Sequence, residues 1–348
     1  MIDFLGLSSV ALVSVMVMLL TIRWPSIFNI IIVALVVRVS VLLLGHYVIT
    51  LPDSTADAIS LEKQAWIFAK EGIASVILED TVSPFIEGPT PRFISWVIAI
   101  PYSLVGRSML LAKSITLFFG MGSVFLGWLI AKKLWNNNIA NKVGWAIALF
   151  PSLILYSVLV LREAYIVFFL LLALYGIAGW VKNDEYKSIV LALIGFTGAT
   201  FFHGALMVGG IVFLIIVGVV KLKQFLKLLT NLKINIESII LILLISIFLQ
   251  NYLSNKINVP YLGNFADSTN IERLFKKTQG ATRGDASWPE WTKISSPIEF
   301  LYKAPVRSIY MVLAPFPWDV KKTKHLIGML DSFLYAYLTF LILFNIKF

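Results

Sequence analysis

Long apolar runs recur along the chain from residue 5 to residue 344, and each is broken by a short polar stretch. Several of them reach the ~18 residues that a helix needs to cross a bilayer. The pattern predicts an all-α, polytopic transmembrane helical bundle with about 9–11 spans. The candidate segments are 5–22, 27–50, 92–106, 109–131, 140–160, 164–181, 188–202, 204–220, 234–254, 300–318 and 326–344.

The composition excludes several classes of protein. Hydrophobic residues make up 59% of the chain and charged residues 14%, whereas soluble domains carry about 25% charged residues. Cysteine is absent and only three histidines occur, so disulfides, thiol chemistry and a histidine-based metal centre are excluded. Motifs that bind ATP or nicotinamide are also absent. The net charge of +10 is explained by basic cytoplasmic loops rather than by nucleic acid.

The positions of the lysines indicate how the predicted spans are oriented in the membrane. Four lysines and no acid lie in 221–233, and the lysines of 132–142 and of 182–187 place these stretches with it on the cytoplasmic side of a plasma (inner) membrane. The chain is interpreted as one membrane domain, 1–348, with two large external loops, 51–91 and 255–299. Only one of the segments 92–106 and 109–131 can cross the membrane, because the stretch 132–142 would otherwise lie on the external side. One of the two is expected to be re-entrant or wrongly divided.

The first external loop carries seven acidic residues and two lysines. Apolar residues from Ala58 to Ala69 follow helical spacing, which predicts an amphipathic helix on the outer membrane surface that ends at Gly72. Asp53 and Asp57 then lie where the membrane meets external water, a position that suits a general base. The alternative is structural: Asp53 caps the helix and Asp57 favours its dipole.

Arg162 and Glu163 stand at the head of a later span, where a charged pair is costly unless it is paired or functional. Glu163 is a candidate acid or base, or a metal ligand. Arg162 is a candidate phosphate ligand. His203, on the same external side, is either a hydrogen-bonded structural residue or a functional one.

The second external loop combines cations with aromatic rings. The cations suit phosphate and the rings suit a sugar face, although tryptophan also anchors proteins at headgroup depth. The candidate phosphate ligands are Arg273, Lys276, Lys277 and Arg283, and the candidate sugar or acceptor contacts are Trp288 and Trp291. Arg38 and Lys113 lie inside predicted spans, where they either line a cavity or contact headgroups.

Residues 27–182 resemble the opening of GT-C membrane glycosyltransferases, including the protein O-mannosyltransferase, aminoarabinose transferase and RgtA/B/C/D-like groups. The resemblance rests on the acidic first loop with Asp57 and Gly72, on Pro151, and on Arg162-Glu163 before a long apolar helix. It implies a GT-C-like core, a polyprenyl-phosphate-linked sugar as donor, and a glycan or lipid acceptor on the extracytoplasmic face. It maps the acceptor base onto Asp57 and a second acidic residue onto Glu163.

A second stretch, Arg162-Glu163-Ala164 with Phe202-His203-Gly204, resembles EpsG-type and Wzy-type polysaccharide polymerases. This resemblance implies a polyprenyl-diphosphate-linked glycan as donor, with Arg162 and His203 binding its phosphates. We expect a glycosyltransferase, with the polymerase as the alternative. A flippase of lipid-linked sugars, favoured by Arg38 and Lys113, is a further alternative. A divalent ion such as Mg²⁺ or Mn²⁺ is a candidate cofactor, held by Asp57 and Glu163.

Overall fold

A computed structural model describes residues 3–72, 93–229, 290–292, 296–320 and 324–345, together with residues 240, 243, 244, 246 and 294. Regular structure in these residues is entirely helical, as predicted. We number the α-helices of the described ranges in chain order. They are α1 Phe4–Arg23, α2 Phe28–Tyr47, α3 Ala56–Glu71, α4 Phe93–Val105, α5 Met109–Leu134, α6 Asn137–Leu149, α7 Pro151–Tyr156, α8 Glu163–Asn183, α9 Tyr186–Phe202, α10 Met207–Leu229, α11 Pro297–Leu313 and α12 Lys324–Asn345.

Five described helical segments are long and apolar enough to cross a membrane. Three of them are α1, α5 and α8, another is α2 with the 3-10 turn before it, and the last, Gly204–Gln224, is a 3-10 turn with most of α10. Three shorter apolar helical stretches coincide with α4, α9 and most of α12. The sequence prediction of a polytopic helical membrane protein is therefore confirmed.

The chain divides into two compact units, Met1–Leu149 with Leu153–Asn264, and Phe150–Ser152 with Phe265–Phe348. In the first unit, α1, α2, α5 and α6 enclose an apolar core around the fully buried Trp128. Two of these helices begin at side-chain caps. The Asp3 carboxylate accepts a hydrogen bond from the Gly6 amide at 2.8 Å, and the Ser108 hydroxyl accepts one from the Leu111 amide at 3.2 Å.

Over the residues that the structure describes, helix α4 is too short to cross the bilayer. Its 13 residues extend about 20 Å at 1.5 Å per residue, against a hydrocarbon core of about 30 Å. Its apolar side chains, including Ile94 and Trp96, pack with Phe68 and Ala69 of α3. Of the two segments that could not both cross, α5 is thus long enough and α4 is not.

The expected single segment 140–160 is broken. Helix α6 ends at Leu149, and Pro151 opens the short α7, which ends at Tyr156. Proline has no amide hydrogen and its ring clashes with the preceding turn, so it cannot continue α6. Residues 157–161 are buried although they form no helix. Hydropathy reads this stretch as one segment because its side chains are apolar throughout.

The helices α8 and α9 form a close antiparallel pair. A Cβ added at Gly176 would meet the backbone amide of Ala192, and one at Gly195 would meet that of Ala173. Small residues allow the two backbones to approach this closely. The pairing brings the start of α8 beside the end of α9, where the Phe202 ring stacks on Tyr165 at 4.8 Å.

The second unit contains α11 and α12. Residues 300–318 were expected to cross the membrane, but α11 carries Glu299, Lys303 and Arg307 and is not among the helices long and apolar enough to do so. In the same unit, the Ser152 amide donates to the Asp331 carboxylate at 3.4 Å.

Candidate functional site

Two cavities lie in the first unit, and a buried stretch of chain separates them. The larger, which we call the Lys113 cavity, has a volume of about 400 Å³ and is lined by the end of α2, the start of α3, Lys113, Leu159 and Val160. The smaller, the Arg38 cavity, has a volume of about 30 Å³ and is lined on the same stretch of chain by Leu153, Tyr156 and Ser157. Residues 153–160 therefore form a wall between the cavities.

Lys113 is the most unusual side chain of the larger cavity. It is 7% exposed, one turn into the apolar α5, and its Nζ lies 3.5 Å from the Gly45 carbonyl oxygen. Among the described residues no carboxylate forms an ion pair with it. A buried ammonium without a counter-ion is unfavourable. The cavity beside it, which His46 also lines, is thus suited to an anion.

The two aspartates predicted as bases flank the same cavity. Ser54, Thr55 and Ala58 line it, and Asp53 and Asp57 are exposed neighbours of these residues. Asp57 lies in the first turn of α3, as predicted, and makes no hydrogen bond or ion pair within the described residues. The alternative role of Asp53 as helix cap is wrong, because Thr55 occupies the cap position. Asp53 instead adopts φ 57° and lies 3.4 Å from the Tyr156 hydroxyl.

Arg38 is buried in α2, with 1% of its surface exposed. Its guanidinium donates to the carbonyl oxygens of Ala148 at 2.7 Å and Ile147 at 3.3 Å, which end the interrupted helix α6. The last carbonyls of a helix have no partner within it and favour a cation. Arg38 therefore caps α6 inside the bundle. It and Lys113 line different cavities.

Arg162 and Glu163 lie at the start of α8, with Arg162 Nε 3.8 Å from Glu163 Oε1. Their side chains are 33% and 41% exposed, so the pair lies at a rim rather than in a core. The second oxygen of Glu163, Oε2, is buried and has no hydrogen-bond partner, and Glu163 lines the Arg38 cavity. His203 ends α9 at the same end of the α8–α9 pair.

One buried charged residue of α3 was not found from sequence. Glu62, 2% exposed on α3, accepts hydrogen bonds from Arg107 Nε at 2.8 Å and Nη2 at 2.7 Å, and from the Tyr102 hydroxyl at 2.9 Å. Burial alone would raise the pKa of Glu62, but the hydrogen bonds from Arg107 and Tyr102 outweigh it and lower that pKa below its usual value. Because its partners lie 40 and 45 residues away, spacing gave no signal of this cluster.

The remaining predicted ligands belong to the second external loop. Arg273, Lys276, Lys277, Arg283 and Trp288 lie outside the described residues. Trp291 is 60% exposed, and its ring lies 6.0 Å from that of Tyr310. For the candidate divalent ion, the described residues bring together no group of three or more acidic or histidine side chains.

Comparison with known protein families, curated proteins and solved structures finds no match to this chain. The residues around the two cavities are therefore the basis for inferring its function.

Proposed function

We propose that the chain is a membrane glycosyltransferase that transfers a sugar from a polyprenyl-phosphate-linked donor to an acceptor hydroxyl on the extracytoplasmic face. The observation that carries the proposal is Lys113, a buried cation without a carboxylate partner in the described residues, beside a cavity of about 400 Å³. A lipid phosphate placed there would supply the missing negative charge.

The proposed reaction uses a carboxylate and a cation on opposite sides of the anomeric carbon. Asp57 takes the proton of the acceptor hydroxyl while that oxygen forms a bond to the anomeric carbon. The bond between this carbon and the donor phosphate oxygen breaks, and its electron pair stays on the phosphate. Lys113 stabilises the charge that develops there. Glu163 orients the acceptor, and Arg162 holds the donor.

The test is sugar transfer by purified protein in liposomes, with radiolabelled polyprenyl-monophosphate sugars as donors. We expect Asp57→Asn to slow transfer by about 10²–10⁴-fold, the usual contribution of a general base. We expect Lys113→Met to lower kcat/KM by roughly 10- to 100-fold, since a charge-assisted hydrogen bond contributes about 1.5–3 kcal/mol. The exposed Lys63→Met, on α3, is the matched control.

The Lys113→Met variant distinguishes an effect on sugar transfer from an effect on folding. An apolar side chain of similar length removes an uncompensated buried charge, so the melting temperature should stay the same or rise while transfer falls. Full activity of Asp57→Asn would contradict its assignment as the base. A Lys113→Met protein that unfolds as it loses activity would make this lysine structural.

One observation favours the polymerase as a second candidate. Pairing of α8 with α9 brings Arg162 and His203 to the same end of the two helices, where they would handle a diphosphate together. In the same assay, a polymerase gives a ladder of products from a diphosphate-linked glycan and depends more on Arg162 and His203 than on Asp57. Movement of the lipid-linked sugar without any product would indicate a flippase.

A further inference from the structure

The Arg38 cavity contains two unpartnered polar atoms of opposite charge. Arg38 Nε and Glu163 Oε2 are both buried without a hydrogen-bond partner, and both residues line this cavity. The other guanidinium nitrogens of Arg38 are bonded to the carbonyls that end α6, and Glu163 Oε1 faces Arg162. The two remaining atoms therefore have only the cavity in which to find a partner.

The volume and charge of the cavity select its occupant. A water molecule needs about 10–15 Å³ of such volume and two to four polar partners, and the cavity offers about 30 Å³. An anion would be repelled by Glu163 and a cation by Arg38, so a neutral ligand with both donor and acceptor groups fits best. The hydroxyls of Ser123 and Ser157 also line the cavity and donate to backbone carbonyls, so each still offers an acceptor lone pair.

We propose that a water molecule in this cavity accepts a hydrogen bond from Arg38 Nε and donates one to Glu163 Oε2. The bridge links the middle of α2 to the first residue of α8. Because Arg38 also caps α6, one side chain holds three helices around the wall that separates the two cavities. Arg38 is then a positioning residue for Glu163. Its consequence for catalysis rests on the proposed function, whereas the water bridge itself does not.

The direct test is a crystal or cryo-electron microscopy map of the unmodified protein at a resolution that shows ordered water. We expect a density peak within hydrogen-bonding distance of both Arg38 Nε and Glu163 Oε2. A dry cavity, or a direct contact between the two side chains, would overturn the proposal. This readout requires neither a variant nor a substrate.

A second test uses a variant that fills the cavity. Val167 lines it, so Val167→Ile adds one methylene there. If the cavity holds a bridging water, the larger side chain displaces it, leaves two buried polar atoms unpaired and lowers the melting temperature. If the cavity is dry, filling it raises the melting temperature, and the proposal is wrong.

A third test measures the coupling between the two residues. Arg38→Lys keeps the charge but loses Nε, and Glu163→Gln loses the ionised oxygen. The double variant should lose less melting temperature than the sum of the two single losses, because either change alone already breaks the bridge. The matched control pairs Arg162→Met with Glu163→Gln, whose half-exposed ion pair should give nearly additive losses. Equal additivity in both cycles contradicts the bridge.

The rate of sugar transfer adds a measurement that would not change if Arg38 had a purely structural role. If Arg38 positions Glu163 against the acceptor, Arg38→Lys lowers kcat and leaves the KM for the donor unchanged. If the unmodified protein transfers no sugar while the density peak and the coupling are found, the water bridge stands and the proposed function fails. Unchanged kcat in Arg38→Lys removes the positioning role.

Discussion

The two members of an ion pair in this helical bundle can differ in how far they are exposed to water. In the pair formed by Glu62 and Arg107, the glutamate side chain is 2% exposed and the arginine 42%. An arginine that loses its partner is still solvated, whereas the glutamate would be left as a buried charge. The two ends of one ion pair therefore contribute unequally to stability.

We predict that Arg107→Met lowers the melting temperature more than Glu62→Gln does. A full buried pair would lose about 3–5 kcal/mol when one partner is removed, and the exposure of Arg107 reduces the loss for Glu62→Gln well below that range. Thermal unfolding in detergent measures both variants, with the exposed Lys63→Met as control. Equal losses of melting temperature in the two variants would show that burial of Glu62 does not determine how much stability is lost.

The lowered pKa of Glu62 predicts a pH dependence of stability. A carboxyl group whose pKa is lower in the folded state contributes stability above its unfolded pKa, which is about 4.3 for glutamate. That contribution is lost as the pH falls through the folded pKa. The difference in melting temperature between unmodified protein and Glu62→Gln should therefore be constant above about pH 5.5 and shrink in more acidic buffer. A constant difference down to pH 3 would contradict it.

The sequence identified the exposed acidic residue Asp57 of α3 as a candidate, but not the buried Glu62. Periodicity placed Asp57 in the first turn of a helix because local spacing decides that position. The role of Glu62 depends on Arg107, which approaches only after α3 and α4 pack together. In the same way, sequence identified Arg38 as an intramembrane cation, whereas its carbonyl partners arise from the break between α6 and α7. Contacts between distant segments leave no periodic signal.

At the scale of helices, close approach of backbones is the property most open to test. Gly176 of α8 lies against the backbone of α9. We predict that Gly176→Ala separates the helices and costs an amount at the upper end of the about 1–3 kcal/mol typical of overpacking. The matched control is Gly210→Ala in α10, where the added Cβ meets side-chain atoms of Phe196 at 3.2 and 3.6 Å. Unfolding in detergent compares the two.

A methyl group at position 210 comes no closer than 3.2 Å to Phe196, whereas one at position 176 overlaps backbone atoms of α9 and must move a helix. The control should therefore stay within about 1 kcal/mol of the unmodified protein, since its Cβ approaches only a side chain. Similar losses for both variants would mean that the α8–α9 contact has room to adjust. Apolar runs predict where such helices lie, but they do not record how closely two of them approach.

At the scale of the whole chain, two lysine-bearing turns of the first unit lie on one side. Lys182, in the last turn of α8, donates to the backbone carbonyl of Lys133, in the last turn of α5, at 2.6 Å, so these helix ends are neighbours. The opposite ends of the same helices carry Lys113 and Glu163. Hydropathy could not predict that α5 and α8 run parallel. It predicted membrane spans at 92–106 and 140–160, and the orientation of 109–131 then disagreed with the position of its lysines. Helix length and the Pro151 break resolve it.

This arrangement predicts the membrane topology, and the absence of cysteine makes the prediction simple to test. Single cysteines introduced as Ser60→Cys, Asn136→Cys and Asn183→Cys occupy exposed positions on α3 and at the two lysine-bearing turns. An impermeant maleimide should label Ser60→Cys in right-side-out membrane vesicles and the other two only in inverted vesicles, because lysine-rich turns stay cytoplasmic. The cysteine-free chain is the blank. Labelling of Asn136→Cys from outside would place the Lys113 cavity on the cytoplasmic side and contradict transfer on the extracytoplasmic face.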